Sequence, residues 1–342
     1  MSAVLANPGT APQRPRGESP LTRIGLTVFF FLAQHAVWLL RAIRPLAVRL
    51  ALLASPAAVR NLRFNADRIF NRALSRSEHR QFASGVMANF YNFVAELAAS
   101  GRASTEAINR RVERIEGEPA YLAARQRRAG AVLVTMHMGA FEVGLAALRR
   151  VEQKVTVVFK RDTFAGFERI RRRVRQQLGV REAAIDDGLP ALFQLRDALL
   201  DDEVVVMQGD RAMPGQRSQI VPFLGGHLRM PTGTVRLARL TGSPIVPVFV
   251  LRGRRGKFRI QMATPIAVDV CPLQSGTTSG GVDPALLALA RAFELTVAQY
   301  PEQWLVLERA FAIESPDTTN GAEQPAAQPQ SNEEHLSAAA GV

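Results

Sequence analysis

The sequence predicts an α/β fold in which helices flank a central, mostly parallel sheet. From residue 131 onward, short apolar runs rich in Val, Ile and Leu alternate with longer segments of helical periodicity, a pattern typical of parallel strands joined by helices. The preceding part of the chain shows helical periodicity alone, which predicts additional helices before the sheet. With 342 residues, of which 47% are hydrophobic, the chain can fill a sizeable core.

The first 60 residues fall into segments of different composition. Residues 1–20 are rich in Pro, Gly and small residues without apolar periodicity, so we expect a disordered leader. The segment IGLTVFFFLAQHAVWLL, residues 24–40, then runs for 17 positions without a formal charge, and Arg41, Arg44 and Arg49 follow it. A buried helix, a short membrane span and an interfacial helix are all compatible with this segment. Its combination with the leader and the arginines favours a membrane anchor formed by residues 21–60.

Residues 61–312 are the predicted folded domain, and residues 61–128 within it are expected to be helical. The elements predicted after them are strand 131–136, helix 140–151, strand 155–160, helix 164–178, helix 189–200, strand 203–208, strand 219–223, helix 232–240, strand 244–251, strand 258–263 and helix 284–299. Residues 313–342 contain almost no large apolar side chains, so we expect a disordered tail.

The charge of the chain restricts the classes of partner. The formal net charge is +13, and residues 1–80 contain twelve arginines against three acidic residues, so phosphate-rich or acidic partners are expected. Nucleic acid is a poor candidate, because aromatic residues make up only 7% and no helix-turn-helix, RNA-binding or zinc-finger pattern is present. Cys271 is the single cysteine, which excludes an intrachain disulfide and a cysteine-based zinc site.

The stretch VTMHMGAFEVG, residues 134–144, carries the first candidate site. A strand ending near Met136 brings His137 to the carboxyl edge of the sheet, and a helix beginning near Gly139 places Glu142 in its first turn. A neutral imidazole can accept a proton from a hydroxyl nucleophile, and a carboxylate on its other nitrogen orients it. A structural histidine at the end of a core strand is the alternative. Metal binding is disfavoured, because no HExxH pattern and no third ligand lie nearby.

Further blocks follow in order: QGDR at 208–211, VPFLG at 221–225, GSPIVPV at 242–248 and YPEQW at 300–304. With the H-x4-E pattern of His137 and Glu142, these blocks resemble the bacterial lysophospholipid acyltransferase superfamily. Within it, they resemble the lipid A biosynthesis (late, or secondary) acyltransferases over about residues 21–312. The resemblance has two gaps. QGDR stands where an Asp-x-Asp element is common, and LVLER after Trp304 lacks an aromatic and basic run.

The resemblance implies a glycerolipid acyltransferase-like α/β domain held on the cytoplasmic face of the cell inner membrane. It implies transfer of a fatty acyl group from a thioester donor, acyl carrier protein or acyl-CoA, to a hydroxyl of an envelope lipid such as a lipid A precursor. A glycerolipid or aminolipid acceptor and a non-catalytic lipid-binding relative are the alternatives. By this analogy His137 is the general base, Glu142 orients it, and no cofactor is needed. A basic surface suits the acidic carrier protein.

Several basic residues are candidates for binding substrate. Arg211 can bind a phosphate group through its guanidinium, with Asp210 positioning it, although a surface salt bridge is the alternative. The resemblance suggests that one arginine of the basic segment FERIRRRVRQQLG, residues 167–179, reaches the site, with Arg175 preferred over Arg171. Lys160 and Arg161 follow a strand end and can also bind phosphate. Apolar residues near the crevice, Phe141 and Val143 among them, are candidates for lining an acyl pocket or for packing in the core.

Overall fold

The structure is a computed structural model that describes residues 20–101, 103–161, 165–213, 215–269 and 281–312. The predicted leader, apart from Pro20, and the predicted tail at 313–342 lie outside the described residues, as does Cys271.

Nine strands are present in the described residues, and seven of them form the central sheet. In chain order the nine are β1 (Val112–Glu116), β2 (Ala131–Thr135), β3 (Val155–Phe159), β4 (Arg181–Ala184), β5 (Val204–Gln208), β6 (Ser218–Phe223), β7 (Gly226–Pro231), β8 (Ile245–Arg252) and β9 (Phe258–Met262). The sheet order is β1-β9-β8-β2-β5-β3-β4, and every neighbouring pair is parallel except β8 and β9. This arrangement confirms the predicted α/β fold with a mostly parallel sheet.

Helices cover both faces of the sheet. They are α1 (Pro20–His35), α2 (Val37–Ala54), α3 (Pro56–Ile69), α4 (Arg76–Ser100), α5 (Thr105–Asn109), α6 (Glu118–Arg125), α7 (Phe141–Leu148), α8 (Ala165–Gln177), α9 (Leu189–Leu200), α10 (Gly233–Thr241) and α11 (Pro284–Gln299). Residues of α6, α7 and α8 form one core cluster with one face of β2 and β5. Residues of α3, α4, α9, α10 and α11 form a larger cluster with the opposite face.

Three strands were not expected from the sequence. β1 lies within the segment 61–128 that was predicted to be helical, and β4 follows α8 where no strand was predicted. Both are the outermost strands of the sheet, and their sequences, VERIE and REAA, carry charged residues where a central strand would be apolar. The third, β7, pairs with β6 in a separate antiparallel hairpin. Short polar strands give no apolar alternation to detect.

The apolar segment 24–40 does not form one continuous helix. The chain leaves helical geometry at Ala36, so α1 and α2 are separate helices. Leu40 of α2 and Ala98 of α4 form a small apolar cluster together with residues of α1. No helix in the part of the chain that the structure describes has the length and low charge content needed to cross a membrane. The outward face of α1 and α2 nevertheless exposes large apolar side chains, which are Val28, Phe31, Trp38, Ile43, Leu46, Leu50 and Leu53.

Candidate functional site

The site is built at the carboxyl end of β2. The strand ends at Thr135, and the chain then turns through His137 into α7, which begins at Phe141. Gly139 makes this turn possible, because it has a φ of +64° and a Cβ at this position would lie 1.5 Å from the carbonyl oxygen of Val250. Only glycine fits here, and the close approach holds the loop against β8.

His137 is paired with a buried carboxylate from the neighbouring strand. β2 and β5 are parallel with Thr135 opposite Gln208, so His137 and Asp210, each two residues further on, meet at the same edge. The imidazole Nδ1 lies 2.7 Å from Asp210 Oδ1, and the Gly209 N–H donates to the Thr135 carbonyl at 2.9 Å, which ties the two loops together. The His137 side chain is 31% exposed, whereas that of Asp210 is fully buried.

The ionised carboxylate of Asp210 determines which ring nitrogen of His137 carries the proton. Burial opposes ionisation of this carboxyl, but His137, the Trp304 N–H and Arg211 outweigh it and lower the pKa of Asp210 to about 2. An ionised carboxylate can only accept hydrogen bonds, so Nδ1 of His137 carries the proton that is shared with Asp210. In its neutral form this imidazole presents an unprotonated Nε2, the atom that a general base requires.

The second oxygen of Asp210 is also engaged. Trp304, which follows the short 3-10 turn Pro301–Gln303, donates its Nε1–H to Asp210 Oδ2 at 2.9 Å. The adjacent Leu305 N–H donates to the carbonyl of His137 at 2.7 Å. The YPEQW block thus contacts Asp210 through Trp304, and the residue that follows the block contacts His137.

The structure corrects the expected partner of His137. The sequence pattern led us to expect Glu142, but the carboxylate that contacts the ring is that of Asp210. Glu142 lies in the first turn of α7 and is 7% exposed, and burial raises the pKa of its carboxyl, while the positive charges of Arg171 and Arg175 on α8 oppose this rise. Its buried side chain thus lies close enough to the arginines of α8 to feel their charges.

Arg175, the preferred substrate-binding arginine of α8, is buried in a network of acidic side chains. Its guanidinium pairs with Glu168 at 2.8 Å and Glu182 at 3.0 Å, and it lies 4.2 Å from the centroid of the Phe159 ring. Arg171 contacts α4, with its guanidinium carbon 6.0 Å from the centroid of Phe93. Arg175 therefore holds α8 against β3 and β4, and its guanidinium is already paired with two carboxylates.

The other three basic candidates are all at the carboxyl edge of the sheet, but they differ in their partners. Arg211 follows Asp210 directly and makes a 3.5 Å ion pair with Glu308, which is largely exposed. Arg161 forms a two-pronged pair with Asp187 at 2.8 and 3.1 Å. Lys160 is exposed at the end of β3. Lys160 is thus exposed, and Arg211 has one longer ion pair where Arg161 has two short ones, so an anionic ligand would meet less competition at Lys160 and Arg211 than at Arg161.

An apolar cavity of about 270 Å³ lies beneath the site, between α6, α7 and the sheet. Its lining includes Thr135 and Phe141 near His137, and Val250, Leu145 and Leu148 further along. Since α7 runs back from the carboxyl edge, the cavity extends along the helix from Phe141 to Leu148, a distance of ~11 Å at 1.5 Å per residue. Phe141 thus lines this cavity, whereas Val143 is buried in the core.

Two contacts of the site were not recognisable from the sequence. Asp210 was assigned to Arg211, because the register that brings it to His137 cannot be read from the spacing of residues 73 positions apart. The YPEQW motif contains Trp304 but does not reveal that Trp304 contacts Asp210, because that contact depends on tertiary packing. Within the described ranges, no group of three or more His, Cys, Asp or Glu side chains is placed to bind a metal ion.

Known proteins of two kinds resemble this chain in sequence. The sequence model of the bacterial lipid A biosynthesis acyltransferases matches residues 19–312. Phosphatidylinositol mannoside acyltransferase of Mycolicibacterium smegmatis is 27% identical over 189 residues, which are 55% of this chain and 59% of that protein. The protein of the same name from Mycobacterium tuberculosis is 27% identical over 205 residues, 59% of this chain and 61% of that protein. The chain thus spans about three-fifths of the length of these curated relatives. From the extent of the family match, the chain belongs to the bacterial lipid A biosynthesis acyltransferase family.

Proposed function

We propose that this protein transfers a fatty acyl chain from an acyl thioester to a hydroxyl group of an envelope lipid. The observation that carries the proposal is the pair formed by His137 and Asp210, with a partly exposed imidazole at the end of a strand and an apolar cavity beginning beside it. A general base next to a channel for hydrocarbon is the arrangement that this reaction requires.

In the proposed reaction, Nε2 of His137 accepts the proton of the acceptor hydroxyl as its oxygen attacks the thioester carbonyl carbon. A carbon–oxygen bond forms, the carbon–sulfur bond breaks, and the proton passes from His137 to the departing thiolate. Asp210 stabilises the imidazolium that exists between these two proton transfers. Glu142 supports the site from behind, as a buried carboxylate between α7 and the arginines of α8.

The cavity beneath α7 is the proposed site of the acyl chain. Its lining is largely apolar, and its near end at Thr135 and Phe141 adjoins the loop of His137, so a thioester at the imidazole would direct its hydrocarbon into the cavity. The donor is an acyl carrier protein or acyl-CoA. Lys160 and Arg211 are the proposed contacts for phosphate groups of the donor or the acceptor.

The acceptor is proposed to be an anionic glycolipid. The matching relatives are named for acyl transfer to a phosphatidylinositol mannoside, and the family is named for lipid A biosynthesis. A phosphate-bearing lipid with a free sugar hydroxyl is the chemistry that these two names share. A glycerolipid or aminolipid acceptor is the second candidate, and the basic residues at the carboxyl edge are compatible with an anionic headgroup in either case.

An acyl transfer assay tests the proposal. The purified protein is incubated with acyl-CoA or acylated carrier protein and with vesicles that contain a lipid A precursor, a phosphatidylinositol mannoside, a lysophospholipid or an aminolipid. We expect an ester product with a sugar-bearing acceptor, detected by mass spectrometry and matched by release of free thiol. Lipid binding without product from any donor and acceptor would instead identify a non-catalytic lipid-binding relative. Lipid profiles of a deletion strain provide the corresponding test in cells.

A substitution inside the cavity should change the preferred length of the acyl chain. Ala147 lines the cavity on α7, and the Ala147→Phe substitution would place a ring in its distal half. Each methylene that no longer fits is worth about 0.8 kcal/mol, or roughly fourfold in kcat/KM. Competition among saturated donors of increasing length measures the preference. Leu192→Phe on the exposed surface of α9 is the control, and an unchanged preference in Ala147→Phe would argue against this location.

Residues 21–60 are proposed to hold the protein on the cytoplasmic face of the inner membrane as amphipathic helices lying in the interface. Trp38 is 71% exposed and Leu53 is 79% exposed on the outer face of α2, and Arg41 and Arg49 are exposed on the same helix. Apolar side chains that enter the acyl boundary, together with cations that meet anionic headgroups, are the features of interfacial helices. This position would bring a lipid acceptor to the site.

Removing apolar side chains from this face should release the protein from membranes. A Trp38→Ser, Leu46→Ser, Leu53→Ser triple variant is expected to bind vesicles of anionic phospholipid at least about 10³-fold more weakly, because each of the three inserted apolar side chains contributes about 1.5–3 kcal/mol. Vesicle co-sedimentation measures this. The control is Leu189→Ser, Leu200→Ser on α9, whose side chains are similarly exposed. An equal loss of vesicle binding in both variants would contradict a specific role for α1 and α2 in membrane binding.

A further inference from the structure

Trp304 lies behind the pair of His137 and Asp210 and has no place in the reaction described so far. We infer that Trp304 is a positioning residue for acyl transfer, because its indole N–H fixes the carboxylate of Asp210 and thereby the orientation of His137. The inference rests on the proposed function, since it concerns the same proton transfer.

The two oxygens of Asp210 have separate partners. Oδ1 faces Nδ1 of His137 at 2.7 Å, and Oδ2 accepts from Nε1 of Trp304 at 2.9 Å. The terminal torsion of an aspartate is broad, so a carboxylate with a single hydrogen bond can rotate. With both oxygens engaged and the side chain fully buried, rotation would break a charge-assisted hydrogen bond. The indole therefore sets the direction in which Oδ1 points.

The backbone around Trp304 is itself held to the site. Gln303 forms two hydrogen bonds with the backbone of Arg252 at the end of β8, donating to its carbonyl at 2.9 Å and accepting from its N–H at 2.7 Å. Trp304 pairs with Met138 as an isolated antiparallel bridge, and Leu305 N–H donates to the carbonyl of His137 at 2.7 Å. The indole is thus fixed relative to β8 and to the histidine loop.

Packing explains an aromatic ring at this position but not an indole. The ring of Trp304 is 3% exposed and packs against Phe223 at 5.6 Å and Phe311 at 6.2 Å between centroids. A phenylalanine would supply similar contacts without a polar atom. A buried indole N–H needs an acceptor, and here the acceptor is the carboxylate that contacts His137.

The Trp304→Phe variant removes this N–H and keeps the aromatic packing. We expect kcat to fall about tenfold while KM for donor and acceptor is unchanged, because a hydrogen bond to a charged group is lost behind the site. Phe311→Leu is the matched control, since it loosens the same aromatic cluster without contacting Asp210. It should lower Tm while kcat stays within about twofold. Equal losses of kcat in both variants would indicate packing alone and overturn the inference.

A double variant tests whether Trp304 acts through Asp210. In Asp210→Asn, the Trp304 N–H would hold the amide oxygen and turn the amide NH₂ toward Nδ1 of His137, which forces the wrong tautomer. Adding Trp304→Phe frees the amide to flip. The double variant should therefore be no slower than Asp210→Asn alone, whereas independent effects would add and overturn the inference.

A spectroscopic readout separates this inference from the proposed function. NMR of isotope-labelled histidine, assigned with His137→Ala, reports which ring nitrogen carries the proton and how strongly that N–H is hydrogen-bonded. We expect Nδ1–H in both proteins, with a downfield, slowly exchanging proton in the wild type and an upfield-shifted, exchange-broadened one in Trp304→Phe, because the released carboxylate no longer holds one orientation. This result would support the positioning role even if the assay found no acyl transfer. The same Nδ1–H proton signal in both proteins would overturn it even if acyl transfer were demonstrated.

Discussion

The His137→Ala variant is expected to lose acyl transfer by about 10²–10⁴-fold, the range over which a positioned general base accelerates a reaction. Without the imidazole, the acceptor hydroxyl must attack the thioester while it still carries its proton, or release it to water. The binding of donor and acceptor should change little, because the apolar cavity and the basic residues remain. Initial rates at saturating donor, with purified protein in lipid vesicles, provide the measurement.

This loss must be separated from a loss of folding. The His137 side chain is 31% exposed, and its one side-chain partner among the described residues is Asp210, so the variant should retain a cooperative melting transition. Leaving the buried Asp210 without its partner lowers Tm to some extent. His227→Ala in β7 is the control, because it removes a histidine from the hairpin instead of the central sheet. A folded His137→Ala protein with near wild-type turnover would falsify the proposed mechanism.

The sequence predicted the part of the fold that depends on local patterns. β2, β5 and β8 are apolar over nearly their whole length, and each was placed within about one residue of its observed bounds. The carboxyl ends of β2 and β5 were expected to carry the chemistry, and His137 and Asp210 lie in contact there. The edge strands β1 and β4 were missed, because their charged residues and shortness give no apolar period.

The pairing at the site depended on information that local patterns do not contain. Glu142 was the natural partner for His137 by spacing, since a helix beginning after the strand puts it nearby. The observed partner follows from the neighbouring positions of β2 and β5 and from the register of Thr135 with Gln208. Strand order and register are tertiary properties, so spacing alone could not choose between the two carboxylates.

The same limit applies to the basic residues. Arg175 and Arg161 looked like phosphate ligands in the sequence, but Glu168, Glu182 and Asp187 occupy their guanidinium groups. These acidic residues lie seven to 26 positions from the arginines that they contact, and all three separations exceed those of i,i+3 and i,i+4 helical pairs. A count of arginines near a predicted site therefore overstates the number available to a ligand.

Matched substitutions at the two carboxylates distinguish their roles. Asp210→Asn and Glu142→Gln each replace a buried carboxyl with an amide of nearly the same shape. We expect Asp210→Asn to lower kcat by about 10³–10⁴-fold, because the amide cannot stabilise the imidazolium and, with its oxygen held by Trp304, favours the tautomer in which Nε2 is protonated.

Glu142→Gln should have a much smaller effect on kcat. Burial raises the pKa of Glu142, so the carboxyl is already shifted toward the neutral form that the amide imitates, although the charges of Arg171 and Arg175 oppose this shift. The comparison is made on kcat at saturating donor and acceptor, with Tm measured for both variants. If Glu142→Gln were the slower of two folded proteins, the carboxylate that serves His137 during turnover would be Glu142. The contact between His137 and Asp210 would then be a feature of the resting enzyme alone.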